Sequence, residues 1–242
     1  MKSQLLRHLF VTGFVCSMAS TSAFAADASF SFSPAPANLA GDLSKDKLGL
    51  DVVTIQVDGA SDITATTFRY LSKKSTGLPD SDKKSVAGLN YYLTTMSSAD
   101  FDSALAFGFS FDGVGGSPRG SAFIFGMGMD MQTFSTSTAA SSVDVLSLVT
   151  HLDLGVQNHF VLGPDLTMVP WGKYSYFYAN STAYIEYQDP FLGTVSTSSD
   201  STASFGALSY GFDVLFHGFS LGAMYQQGDN SSITKFSIST DF

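Results

Sequence analysis

Residues of the kinds that perform acyl transfer lie on one face of a short alternating segment. Ser147, His151 and Asp153 have the same parity, so in an extended strand their side chains point to the same side. A serine becomes a nucleophile when a histidine takes its proton and a carboxylate orients that histidine. Serine is abundant in this chain, however, and chance readily supplies such neighbours. A hydrogen-bonded structural histidine is therefore the favoured interpretation.

The remaining histidines and the single cysteine offer no second candidate site. His159 and His217 fall near predicted turns, and no pair of histidines has a spacing suited to zinc. Cys16 lies in an amino-terminal segment that we expect to be removed, which leaves no thiol chemistry in the mature chain. No phosphate-binding loop is present. We therefore predict no catalytic site, no metal site and no cofactor.

The first 25 residues have the pattern of a cleavable signal peptide. Lys2 and Arg7 precede an apolar run over residues 9–19, and a small-x-small cleavage site ends at Ala25. The apolar run is too short to cross a bilayer. Removal of the two basic residues takes the formal charge from −9 to −11. A chain this acidic is not expected to bind nucleic acid, which requires a positive surface.

The rest of the chain divides into a short leading segment and one domain. Residues 26–46 contain Pro34, Pro36 and Gly41 and few large apolar residues, which predicts a tail or partial plug. From residue 47 to 242 short segments of alternating polarity recur between turn residues. The composition is 44% hydrophobic and only 14% charged, and the apolar residues are spread out. Barrel strands in a membrane produce this distribution because every second side chain meets lipid.

The clearest strand is predicted over residues 101–112. One face carries Phe101, Leu105, Phe107, Phe109 and Phe111, and the other carries small or acidic residues that include Asp102. Similar segments follow to the carboxyl terminus, and three weaker ones precede. Together they predict an all-β, antiparallel, up-and-down transmembrane barrel of about ten strands, with eight or twelve left open. We expect the longest external loop at 181–201, with further external loops at 134–142 and 228–231, and a periplasmic connection at 73–84.

The inward positions of these strands predict a polar and charged barrel interior. The residues concerned are Asp102, Asp130, His151, Asp153, Lys173, Asp213 and Lys235. They would form either a cation-preferring conduit or an ion-paired filling, and both satisfy the need to pair or hydrate buried charges. The filling is favoured because a small barrel has little room beyond its own side chains.

A soluble, exported β-sandwich would also show alternating strands. Its solvent face would carry more lysine, glutamate and threonine than the faces of glycine, alanine, serine and aspartate found here. The barrel is therefore the preferred prediction.

In these features residues 47–242 resemble the small outer-membrane β-barrel proteins of Gram-negative bacteria. The resemblance rests on strand alternation and on a terminal Phe242 preceded at alternate positions by Phe236 and Ile238. It implies residence in the bacterial outer membrane, in contact with its lipid and lipopolysaccharide. It also implies that the barrel-assembly machinery recognises residues 233–242. Thr240 departs from the pattern, since a large apolar residue is common there.

These observations predict a non-enzymatic outer-membrane protein that is structural or weakly pore-forming, porin-like in fold, with exposed surface loops. The alternative is a lipid-modifying enzyme of the outer membrane, an acyl hydrolase or transferase, that uses a lumen-facing His151. The His-x-Ser pattern of the lipid A deacylases is absent there, because Leu152 and Asp153 follow the histidine.

Overall fold

A computed structural model describes residues 45–76, 84–138, 141–189 and 193–242. The predicted signal peptide lies outside these ranges, as does nearly all of the predicted tail. All regular structure in the described ranges is β-strand. No helix within them is long and apolar enough to cross a membrane.

Eleven strands follow one another along the described chain. They are β1 (Lys47–Val57), β2 (Ile63–Thr76), β3 (Lys84–Ser98), β4 (Phe101–Gly116), β5 (Ser121–Ser137), β6 (Ser141–Asn158), β7 (Phe160–Gly163), β8 (Leu166–Asp189), β9 (Gly193–Phe216), β10 (Phe219–Gln227) and β11 (Ser231–Asp241).

Ten of these strands form a closed antiparallel barrel. The ring closes where β1 pairs with β11, with Lys47 opposite Asp241 and Val57 opposite Ser231. The short β7 only extends a hairpin with β8, and β6 pairs directly with β8 beyond it. Each strand of the ring thus has a hydrogen-bonded neighbour on both sides over at least part of its length. The predicted fold class and count of ten barrel strands are confirmed.

The barrel has an apolar outer surface and a buried polar interior. Phe123 and Leu154 face outward and are 74% and 70% exposed, whereas Asp130 and His151 face inward and are 1% and 2% exposed. On β6 the outward apolar residues run from Leu146 to Val156. At ~3.3 Å per residue and a tilt of about 40°, this run spans roughly 25 Å, the height of a lipid-facing band.

The amino-terminal end of β4 departs from the predicted facing. The register between β3 and β4 shifts between Met96 and Ser98, so the residues at the start of β4 leave the alternation. Phe101 was expected outside but is buried, with its ring 5.7 Å from that of Phe134. Asp102 was expected inside but is exposed, and it accepts hydrogen bonds of 2.7 Å from the backbone N–H and Oγ of Ser137.

We call the end of the barrel that carries the β1–β2, β3–β4, β5–β6, β8–β9 and β10–β11 connections the distal end. The opposite end, with the carboxyl terminus, is the proximal end. Two predicted distal loops prove to be mainly strand. β8 runs to Asp189 and β9 starts at Gly193, so most of residues 181–201 form a regular hairpin. Likewise β5 extends to Ser137 and β6 begins at Ser141.

The proximal connection between β2 and β3 is also shorter than predicted. β2 extends to Thr76 and β3 begins at Lys84, so the expected connection at 73–84 contracts to residues 77–83, which lie outside the described ranges. Pro170 lies inside β8, which continues through it. It lies where the neighbour of β8 changes from β7, opposite residues 166–168, to β6, opposite Trp171 onward. A residue without an N–H is tolerated at such a gap in the ladder.

A lysine placed on the outer surface should report the depth of each position in a bilayer. Phe212 lies in the middle of the apolar outward residues of β9, and Ser204 lies on the same face closer to the distal end. We expect Phe212→Lys to lower the free energy of unfolding by about 2–4 kcal/mol and Ser204→Lys by about 0–1 kcal/mol. Urea titrations of both variants in lipid vesicles measure this. Equal losses would contradict the assignment of an apolar band.

Candidate functional site in the barrel interior

The barrel interior is a packed column of inward side chains rather than an open channel. Polar and charged residues fill its middle, with exposures that fall almost entirely between 0% and 5%. The side chains of this layer are thus almost wholly shielded from solvent. The members of this middle layer are Asp51, Arg69, Asn90, Tyr92, Ser110, Asp112, Asp130, Gln132, His151, Asp153, Lys173, Ser175, Ser209, Asp213, Gln226 and Lys235.

Two ion-paired groups organise the middle layer. Lys173 on β8 donates to Asp153 on β6 across 2.6 Å, and both side chains are buried. On the other side of the barrel the guanidinium of Arg69 meets both oxygens of Asp51 at 2.9 and 2.8 Å. The ammonium of Lys235 on β11 lies 3.9 Å from the same carboxylate. These pairs compensate charges that would be costly to bury alone.

Two further carboxylates in the layer are held by neutral donors. Asp112 accepts a 3.0 Å hydrogen bond from the Ser110 hydroxyl and a second from the Asn90 amide. Asp130 accepts one from the hydroxyl of Tyr92. This phenol reaches across β4 over Gly108, where a Cβ would meet the Tyr92 ring at 2.5 Å and overlap Asp130. Only glycine leaves room for the bond between β3 and β5.

The candidate nucleophile, base and carboxylate do not form a catalytic arrangement. The Ser147 hydroxyl shares a 2.8 Å hydrogen bond with Ser181. Ser147 and His151 are four positions apart along the strand, a span of about 13 Å. The imidazole packs over Gly128 and lies 5.8 Å from the Phe177 ring, and its Nε2 is 4.0 Å from Asp153. The imidazole is buried, with a side-chain exposure of 0%.

The structure brings most of the sequence-predicted interior residues together, and adds others. Asp130, His151, Asp153, Lys173, Asp213 and Lys235 are all buried inside, whereas Asp102 stays at the distal rim. The prediction missed Asp51, Arg69 and Tyr92, which lie one in each of the three segments with weak alternation. Asp112 was on the predicted inward face of β4, so strand parity alone could have found it.

Buried apolar side chains lie toward both ends of the interior. The distal members of this cluster include Ile55, Ile63, Phe134, Val145 and Ile185, and the proximal members include Val86, Val114 and Ile124. The proximal end has a second set of charges. There Asp241 lies 3.6 Å from the ammonium of Lys47 and 3.5 Å from that of Lys73.

The start of the barrel is tied to the same proximal charges. Asp46 accepts a 2.5 Å hydrogen bond from the Tyr70 hydroxyl and a 3.1 Å bond from the Lys73 backbone N–H. The hydrogen bond from Tyr70, and after it the hydrogen bond from Lys73, lowers the pKa of Asp46.

The other two histidines lie at turns of the proximal end. His159, between β6 and β7, contacts the Gly120 carbonyl at 3.0 Å, and His217 is exposed in the β9–β10 turn. Within the described ranges no group of His, Cys, Asp or Glu is arranged to hold a metal ion.

Comparison with known proteins identifies the fold. No protein-family model matches the chain, and no curated protein matches it. The β domain of the Bordetella autotransporter BrkA is similar in structure, with 11% identity and a TM-score of 0.53, over 83% of this chain and 99% of that one. The translocator domain of NalP from Neisseria meningitidis has 12% identity and a TM-score of 0.46, over 96% and 98%. Ail of Yersinia pestis has 9% identity and a TM-score of 0.36, over 81% and 95%.

The match extends over nearly the whole of the BrkA β domain, and the chain itself forms a closed ring of ten strands. The chain therefore has the fold of the small outer-membrane β-barrels, as its sequence predicted.

Removing one partner of the Lys173–Asp153 ion pair should lower the free energy of unfolding more than removing both. Lys173→Met leaves a buried carboxylate without its cation, and we expect a loss of about 3–5 kcal/mol in the free energy of unfolding. The double variant Lys173→Met/Asp153→Leu removes the stranded charge and should recover most of the loss. Urea unfolding in vesicles compares them. A double variant no more stable than the single one would show that the pair is not the cause.

Proposed function

We propose that the protein is a non-enzymatic barrel of the bacterial outer membrane. In this proposal the barrel does not conduct solutes but has a structural role, in which it holds the strands and turns of its distal end. The packed interior is the observation that carries this proposal. A middle layer of buried polar side chains, with buried apolar side chains toward both ends, fills the lumen. Of the two interpretations of the interior charges, this supports the filling over the conduit.

The outer surface supports insertion into a lipid bilayer. Phenylalanine, leucine, methionine and tyrosine side chains cover the barrel wall, and Tyr174, Tyr176 and Tyr178 lie side by side on the outward face of β8. So much exposed apolar surface is unfavourable in water. We propose outer-membrane lipid and lipopolysaccharide as the surroundings of this surface.

The last strand supports a role in assembly. Phe236, Ile238 and Phe242 all face outward on or just after β11 and are at least 48% exposed, so a binding partner could read them before the barrel closes. We propose the barrel-assembly machinery as that partner, in agreement with the sequence resemblance.

Conductance across a planar bilayer tests the closed lumen. The wild-type protein should give no steady current steps, because side chains fill the middle of the barrel. Tyr92 and Phe177 are among the largest fully buried side chains, and the variant Tyr92→Ala/Phe177→Ala should produce measurable steps. Steady steps of equal size in wild type and variant would contradict the proposal.

The enzymatic alternative can be tested through His151. Because this histidine is enclosed and is not bonded to Ser147, His151→Ala should leave the lipid A of the producing cells unchanged in a mass spectrum. His217→Ala, in an exposed turn, is the matched control. A change in lipid A that follows the substitution at His151 and not the one at His217 would favour the enzyme.

A further inference from the structure

One strand has an open edge at the distal end of the barrel. β9 pairs with β8 along its whole length, from Phe216 to Gly193. On its other side it pairs with β10 only as far as Leu208, opposite Gln227. Residues 193–207 therefore have a neighbouring strand on one side only, among the described residues. We call this segment the distal edge. It is roughly 45 Å long at ~3.3 Å per residue.

The turn between β9 and β10 shows which backbone groups face the open side. Phe216 and Phe219 pair across a two-residue turn in which His217 and Gly218 have φ of 47° and 81°. Such a turn is closed by hydrogen bonds between its two flanking residues, so the N–H and C=O of Phe216 face β10. Because backbone groups alternate along a strand, those of every even-numbered residue of β9 face the same side. In the distal edge these residues are Thr194, Ser196, Ser198, Asp200, Thr202, Ser204 and Gly206.

The distal edge lacks the features that usually prevent strand pairing. Exposed edges are commonly protected by proline, lysine, bulges or very short length. Residues 193–207 contain no proline and no lysine, and their only charged residue is Asp200. The register with β8 has no shift. Threonine, which favours strands, recurs along it. An open and regular edge of this kind is a template for an added strand.

The surroundings of the distal edge are uniformly acidic. Asp229 and Asp58 lie in the turns at its base, where the backbone N–H of Asp58 donates to the Asn230 carbonyl. The exposed acidic residues of the distal end are Asp58, Asp62, Asp100, Asp102, Asp144, Glu186, Asp200 and Asp229. No lysine, arginine or histidine occurs in residues 53–68, 92–106, 130–150, 176–206 or 224–234. Exposed basic residues, such as Lys74 and Arg119, are at the proximal end.

We propose that the distal edge binds an extended, lysine- or arginine-bearing segment of a partner protein by strand addition. The open N–H and C=O groups supply the backbone hydrogen bonds, and the acidic surroundings select a basic segment and attract it over a distance. A second copy of this chain is disfavoured as the occupant, because pairing two distal edges would bring Asp200 and the other carboxylates of both copies together. The inference rests on the proposed function in that the distal end must project from the membrane.

The test uses the full mature chain folded in lipid vesicles and a labelled synthetic peptide in which lysine alternates with threonine or valine. Heat-modifiable gel migration first establishes that each protein sample is folded and inserted. A failure at that stage bears on the membrane proposal and not on the distal edge. Fluorescence anisotropy then measures binding. There are two control peptides. One carries glutamate in place of lysine. The other carries N-methyl groups on two adjacent central residues, which block both edges of the peptide.

The protein variants separate backbone pairing from charge. Ser198→Pro removes an open N–H while leaving the ladder with β8 intact, and Ser198→Thr keeps that N–H. We expect the lysine peptide to bind wild type and Ser198→Thr alike, and to bind Ser198→Pro at least about tenfold more weakly. The N-methylated and glutamate peptides should lose at least as much. Asp200→Asn should weaken the binding of the lysine peptide.

Four results would overturn the inference. They are no binding of the lysine peptide to folded wild type, equal binding to Ser198→Pro, equal binding of the N-methylated peptide, and equal binding of the glutamate peptide. The second and third would indicate attraction by charge without strand addition. A mass of the detergent-solubilised protein equal to two copies, lost in Ser198→Pro, would assign the distal edge to self-association instead.

Discussion

The pairing of β1 with β11 is the constraint on which the other features depend. In hydrocarbon an unpaired backbone N–H or C=O has no water to bond and costs several kcal/mol, so a membrane sheet must close on itself. Side chains reinforce this junction. Asp51 lies on β1, Lys235 on β11 and Arg69 on β2, and their charges meet inside the barrel at the place where the first and last strands join. Backbone and side-chain interactions thus specify the same register at the seam.

The charged interior also specifies the register of the other strands. A slip of one residue would turn every inward side chain outward, which would place Asp153 or Lys173 against lipid and Leu152 or Leu154 in the lumen. Because Asp51 and Asp153 are each ion-paired with a residue on a neighbouring strand, such a slip would also leave these charges unpaired. The polar filling is therefore a strong determinant of a unique barrel, even where replacement by apolar residues could give comparable stability.

Much of this arrangement could be predicted from the sequence, for a physical reason. On β5 and β6 large apolar residues alternate with glycine, serine and acidic residues, and a wall between lipid and a narrow lumen requires that contrast. The same reasoning fails at residues 181–201, because a hairpin with polar residues on both faces has no period to detect. It fails at Asp102 because β4 has an extra residue between Phe101 and Ala104, which changes the parity there, and such an irregularity leaves no mark in the sequence.

The partners within the interior were the least predictable part. The bond between Tyr92 and Asp130 joins β3 to β5 across an intervening strand, and it depends on a register that only the folded barrel shows. Arg69 and Asp51 were missed because their strands alternate weakly. Inward facing can be predicted from parity within one strand, whereas contacts require the relative positions of two or three.

The glycine beneath Tyr92 has a consequence for how related sequences can diverge. Gly108, Tyr92 and Asp130 occupy three adjacent strands, and a methyl group at the first would overlap both of the others. None of the three can change size alone without disturbing its neighbours. Substitutions at these positions are thus acceptable mainly in combination, for example a larger residue on β4 with a smaller one on β3. In a set of homologous barrels the three positions should vary as a group, and their covariation would record the strand order of the barrel.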